Sequence, residues 1–215
     1  MAAKFDNVYF INGTAYAGKS TMVKRLAEKH GGVECGENYH NALLPELDSA
    51  EFPGLTYTRD LVDWHDFVRR TPDEYEAWID RTSKECEKLE LRILEGLRGA
   101  RKPVFVDTNI CLETLRAISD DNHVLIMLAD PDVSVRRFFE RPDREKQFLY
   151  RLMMEEKDPG AALENFRHCL ERINSPARYD AFLHSGFKVI LRDDNRSVEE
   201  TLALAEEAFG LGGGV

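Results

Sequence analysis

With 215 residues, 43% of them hydrophobic and 32% charged, the chain has enough apolar material to bury a full core, which excludes long-range disorder and leads us to expect one enzyme-sized domain. Its formal charge of −10 disfavours a nucleic acid or an anionic membrane surface as main partner and favours small ligands. The start MAAKFDNVYF lacks a signal-peptide pattern, no run of about 18 apolar residues suggests a membrane span, and Cys35, Cys86, Cys111 and Cys169 show no C-x-x-C pair, so a reduced, cytoplasmic setting is expected.

Val8 to Ile11 reads as a short buried strand, and Lys19 to Lys29 as a helix that stops at His30-Gly31-Gly32, where glycine can take the left-handed cap. Val33 to Cys35 is a second short strand. Residues 41–57, with Pro45, Pro53 and Gly54, look irregular, and Asp60 to Arg70 looks like a short helix bearing Leu61, Trp64, Phe67 and Val68. Thr71-Pro72-Asp73-Glu74 then supplies a capping threonine, a proline at the first helical position and a glutamate that closes the box. Tyr75, Ile79, Thr82, Cys86, Leu89, Ile93 and Leu97 follow at helical spacing, a stripe expected to face the core.

A third strand, Val104 to Asp107, ends in a carboxylate and is followed by a short helix; a fourth is expected at Val124 to Leu128. Helices follow at Val133 to Glu140, Arg144 to Lys157 and Ala161 to Asn174, then a fifth strand at Phe187 to Leu191. Ser197-Val198-Glu199-Glu200 opens a last helix with a second capping box; Gly210 ends it, and residues 211–215 form a loose tail. Strands alternating with helices imply a mostly parallel sheet, with one domain over residues 1–210.

Gly13, Gly18, Lys19 and Ser20 match G-x-x-x-x-G-K-[ST] between the expected first strand and first helix. A phosphate chain must exchange its hydration for many donors at once. Backbone N–H groups of a loop at a helix N-terminus supply them, and glycines let that backbone come close. The expected nucleotide-binding residues are Gly13, Thr14, Ala15, Tyr16, Ala17, Gly18, Lys19, Ser20 and Thr21. Lys19 would set a positive charge at the terminal phosphates, and the Ser20 hydroxyl would hold Mg2+.

Arg136, Arg137, Arg141, Arg144 and Arg151 surround Glu140-Arg141-Pro142-Asp143-Arg144, and suggest a lid over residues 136–151. Guanidinium groups closing over a transferring phosphoryl group stabilise its spreading charge; a solvated face with ion pairs is the plainer account. Arg141 and Arg144 are the expected catalytic pair. Asp107, at the edge of a parallel sheet where ligands collect, is a second candidate for Mg2+, or else caps the turn through Thr108 and Asn109. Glu37, after the second strand, is the candidate base, or an exposed loop carboxylate. His40, Tyr57, Arg59, Trp64 and His65 fall where an acceptor pocket would form, with core packing the stronger role for Trp64 and Trp78. His30, His123, His168 and His184 lack ligand spacing.

With this loop, Asp107 after the third strand and the arginine-bearing segment after the fourth, the chain resembles the P-loop kinases that phosphorylate nucleosides, nucleotides, shikimate and similar acceptors. The resemblance implies a three-layer α/β P-loop NTPase fold with a five-stranded parallel sheet of order 2-3-1-4-5, a helical lid and a helical acceptor region at about residues 41–100. It also implies ATP with Mg2+ as donor, and an adenine site between the Arg192 to Ser197 loop and a lid arginine such as Arg137. In deoxynucleoside kinases a carboxylate ending the second strand is the base, and Glu37 stands nearest that place. Those kinases carry Glu-Arg-Ser after the third strand where this chain has Asp107-Thr108-Asn109, and between residues 41 and 68 only Arg59 is available for the arginine-rich site of the adenylate-kinase type.

ATP-dependent phosphoryl transfer to a small-molecule hydroxyl or phosphate, with nucleosides and nucleotides among the candidate acceptors and a homodimer as the candidate assembly, is therefore the leading expectation. The alternatives are a regulatory ATPase and a binding module without turnover; no N-K-x-D, D-x-x-G or S-G-G-Q run supports the common switch families. The acidic balance disfavours a kinase of polynucleotide ends.

Overall fold

In the computed structural model, residues 5–136, 138, 140 and 144–212 are described. The strands are β1 (Val8–Gly13), β2 (Val33–Cys35), β3 (Val104–Asp107), β4 (Val124–Leu128) and β5 (Lys188–Leu191), all parallel in the order β2-β3-β1-β4-β5. Both faces of a parallel sheet are covered, so its strands read as continuous apolar runs. Every residue of β3 and β4 is buried, and Phe10, Ile11, Phe105, Leu125 and Ile126 are fully enclosed.

The chain divides into two compact units. The first comprises residues 1–43, 86–129 and 180–215 and holds the whole sheet. Within it, α1 (Lys19–His30) packs on β2 and β3 and touches α10 (Val198–Phe209), which covers β4 and β5. α5 (Leu112–Ile118) also belongs to this unit. Gly31 (φ 61°) and Gly210 (φ 68°) end α1 and α10 in the left-handed region, and Ser197 with Glu200 closes the expected capping box.

The second unit comprises residues 44–85 and 130–179. It contains α2 (Pro53–Asp60), α3 (His65–Val68), α6 (Pro131–Arg136), α7 (Arg144–Met154) and α8 (Pro159–Ile173). The long helix α4 (Pro72–Leu97) starts in this unit and ends in the first; α9 (Pro176–Leu183) likewise crosses the division. Phe67, Tyr75, Leu152, Met153, Phe166 and Leu170 form this unit's core, with Trp64 and Trp78 packed against it as expected. Phe67 meets the Trp78 ring edge-on at 5.2 Å, the arrangement that the ring quadrupoles favour.

The expected helix over Asp60 to Arg70 is corrected. Instead, α2 ends at Asp60, Leu61 is extended (φ −68°, ψ 124°), and only His65–Val68 is helical again. Residues 41–57 are not irregular throughout either, because a 3-10 segment covers Tyr39–Glu46 and α2 opens at Pro53. The physical reason is proline at a first helical position, where its missing N–H costs nothing. Pro53, Pro131, Pro159 and Pro176 all start helices, as Pro72 does. Buried Glu85 then accepts from Gly54 N (3.0 Å) and Leu55 N (2.8 Å), two donors at the start of α2. α9 has no counterpart among the expected elements, α6 starts at Pro131, two residues before the expected Val133, and α7 ends at Met154.

Candidate functional site

The C-terminal edge of the sheet gathers the chemistry-bearing groups of the first unit. A parallel sheet sends every strand toward this edge, where the connecting loops are free to bind.

The loop after β1 is built to a narrow specification. Gly13 has φ 128°, and a Cβ there would stand 1.9 Å from Met127 O, so no other residue fits. Thr14 anchors the loop to the end of β4: its N donates to Met127 O at 3.1 Å, while its hydroxyl takes Ala129 N at 2.7 Å and lies 3.2 Å from Ala129 O. Tyr16, not a glycine, is held at φ 64° with its side chain buried, and the Arg192 guanidinium donates to its carbonyl. The expected adenine-side loop thus touches the loop after β1 through Arg192, which also donates to Asp194 at 2.7 Å. Ala17 is buried; Ala15 and Thr21 are exposed.

Gly18 (φ 92°) is the N-cap of α1 and offers no capping side chain, and the first turn contains no acidic residue. The leading N–H groups of a helix have no partner within it, and together they carry partial positive charge. Asp158 and Ser197 supply side-chain caps to α8 and α10. Among the described residues no side chain caps α1.

Lys19 and Ser20 complete the edge. Lys19 Nζ donates to Thr14 O at 3.0 Å and lies 3.9 Å from Asp107 Oδ1. Ser20 Oγ donates to Asp107 Oδ2 at 2.8 Å. Burial pushes the Asp107 carboxyl above its usual range, and the charges of Glu37 and Glu90 add to this; Lys19 and the Ser20 hydroxyl oppose it. Glu37 is exposed two residues beyond β2, whose Cys35 pairs with Val106 of β3, so both carboxylates share this edge. Among the described residues no three His, Cys, Asp or Glu side chains cluster to hold a metal. A hydroxyl beside one carboxylate instead suits Mg2+, which keeps most of its waters and takes few protein ligands.

Sequence reasoning missed Glu90. It is fully buried on α4 and accepts from Thr108 Oγ1 (2.6 Å), Asn109 N (3.0 Å) and Asn109 Nδ2 (2.8 Å). Buried His40 lies between Glu90 Oε1 (Nδ1, 3.3 Å) and Cys86 Sγ (Nε2, 3.3 Å). The Asp107-Thr108-Asn109 run therefore anchors the end of β3 to α4. The only hint in sequence was spacing, since Cys86, Glu90 and Leu94 form one i, i+4 row on the buried side of the helix.

The remaining candidates lie in the second unit or outside the described residues. Arg136, Arg144 and Arg151 are exposed on α6 and α7, with Arg136 Nε donating to Asp132 O at 3.3 Å. Arg137 and Arg141 lie outside the described residues. Arg59 is engaged with Asp60 (Nε to Oδ1, 2.6 Å) and the carbonyls of Leu44 and Leu47, and His65 with Glu156 (2.8 Å). Among the described residues no helix is long and apolar enough to cross a membrane.

Comparison with protein-family models gives no match for this chain, and comparison with curated proteins gives none either.

Proposed function

We propose that the chain is an ATP-dependent kinase of a small molecule, with the phosphate loop and its flanking carboxylates as the reaction centre. The observation that carries this is the uncapped N-terminus of α1 behind two positive-φ glycines, with Lys19 and the Ser20–Asp107 pair beside it. The backbone donors at the start of α1, from Gly18 to Thr21, and the Lys19 ammonium would bind and orient the phosphate chain. Ser20 and Asp107 would hold Mg2+, which when bound neutralises charge on the phosphate oxygens. Glu37, exposed and ionisable at the same edge, would take the proton of the acceptor hydroxyl as its oxygen bonds to the terminal phosphorus and the bond to the ADP oxygen breaks.

Titration calorimetry with ATP, with and without Mg2+, tests the binding half, and ADP release across a panel of nucleosides, sugars and small acids tests the transfer half. Magnesium-linked ATP affinity that Lys19→Ala lowers at least tenfold is the expected result, together with acceptor-dependent ADP release. No nucleotide affinity in the native chain overturns the proposal. Acceptor-independent release at an equal rate replaces the kinase with an ATPase.

A further inference from the structure

The second unit contains a cavity of about 480 Å3 between α2, α3 and the start of α4, a volume typical of sites for small ligands. Its walls combine the aromatic side chains of Tyr57 and Trp78 with an excess of positive charge, Arg69, Arg70 and Arg81 against Asp66 and Glu74. Arg70 lies over the Tyr57 ring, its Cζ 3.9 Å from the centroid, and 5.2 Å from the centroid of the Trp78 indole. Trp78 Nε1 donates to Gly54 O at 3.0 Å, which fixes the indole in the wall of the cavity.

The charges around the cavity do not cancel one another. Arg69 donates to Glu156 at 2.9 Å, with Asp63 and Asp66 close enough to raise its pKa as well. The Glu74 carboxylate is taken up by Thr71 N (2.8 Å) and Oγ1 (2.9 Å) in the capping box of α4. Glu74 nevertheless lies close enough to Arg70 for that charge to lower its pKa, whereas Arg81 forms no ion pair among the described residues. Arg70 Nη1 is buried without any hydrogen-bond acceptor. A buried donor left unmade costs about 1–3 kcal/mol, and a guanidinium pinned on an aromatic ring cannot turn to water without losing its stack.

We infer that this cavity binds a small organic anion whose flat ring lies against Tyr57 and Trp78 and whose oxyanion, a carboxylate or a phosphate, accepts from Arg70 and Arg81. Guanidinium groups match both kinds of oxyanion in the same planar geometry. The inference stands whether or not the loop of the first unit binds a nucleotide.

Both tryptophans of the chain, Trp64 and Trp78, belong to the second unit, so their emission reports on it. The test titrates the full chain carrying Lys19→Ala, to silence the phosphate loop, with phenyl phosphate, benzoate and the uncharged benzyl alcohol. Quenching by at least one anion, with affinity at least tenfold above that of the alcohol, is expected; the tighter anion identifies the oxyanion. Arg81→Met, at an exposed position, should weaken the tighter anion about threefold or more without lowering Tm, and Arg70→Met should weaken it at least tenfold. Equal affinity for the alcohol, no anion binding, or undiminished binding by Arg81→Met overturns the inference. Loss of ATP affinity in the Lys19→Ala chain with anion quenching retained separates this cavity from the phosphate loop.

Discussion

Ser20 Oγ donates to Asp107 Oδ2 across 2.8 Å, joining the first turn of α1 to the last residue of β3. Asp107 is buried and its pKa is raised, so the ionised form is held at a cost in the folded chain. A carboxyl with a raised folded pKa takes up protons on folding between its unfolded and folded values. Its penalty is absent below the unfolded pKa of about 3.9, grows as pH rises through the folded value and is complete above it. Asp107→Asn should therefore raise Tm at pH 7 relative to the native chain and lose that advantage near pH 3. The same variant should lose the magnesium dependence of ATP binding. Thermal scans at the two pH values, paired with calorimetry, check both; a lower Tm at pH 7 would show that the Lys19 and Ser20 contacts outweigh burial.

Gly13 and Gly31 separate two costs that a glycine substitution can carry. At Gly31 (φ 61°) nothing lies within 4 Å of a new Cβ, so Gly31→Ala should cost only the left-handed backbone penalty of about 1 kcal/mol. At Gly13 the same methyl would stand 1.9 Å from Met127 O, and either β1 or β4 must shift. Gly13→Ala should cost at least about 2 kcal/mol more than Gly31→Ala, since backbone strain and overpacking add. Urea denaturation of the two variants measures the difference, and equal midpoints would refute the tight loop geometry.

Glu90 holds three donors from the turn after β3 in a site without solvent. Glu90→Gln keeps the size but turns an amide NH2 toward Thr108 or Asn109, leaving a donor facing a donor. The expected cost is about 1–3 kcal/mol. Because Asp107 immediately precedes this turn, ATP affinity in Mg2+ should fall as well. An unchanged denaturation midpoint in Glu90→Gln would show that the network contributes nothing to stability.

How far such features could be read from the chain depends on what fixes them. The strand-loop-helix at Gly13 to Ser20 was legible because Gly13 and Gly18 are demanded by local backbone angles that sequence spacing records directly. Asp107 was legible because strand ends are marked by where an apolar run stops. Glu85 and Glu90 were not. A carboxylate on an amphipathic helix looks the same whether water or a buried amide satisfies it, and only the fold brings Gly54 N or Asn109 N to it. The second unit was misread for a different reason. Proline either breaks or begins a helix, and Pro53 and Gly54, which begin α2, read as irregular because the residue that caps that helix, Glu85, lies 31 positions beyond Gly54 in sequence.

Glu37 is the last residue whose role can be separated by one substitution. It is exposed beyond β2, and its charge reaches Asp107 strongly enough to raise that group's pKa. Glu37→Gln removes proton-accepting capacity without removing size, so transfer to an acceptor hydroxyl should slow about 100-fold or more, the usual scale for a general base. The substitution also lifts one of the charges that raise Asp107. Its carboxyl should then ionise at lower pH, so magnesium-linked ATP affinity should persist to more acidic conditions than in the native chain. Rate and affinity thus move in opposite directions for a base at this position. A Glu37→Gln chain with undiminished transfer would assign the proton to another group, and one with weakened ATP binding at neutral pH would make Glu37 part of the nucleotide site instead.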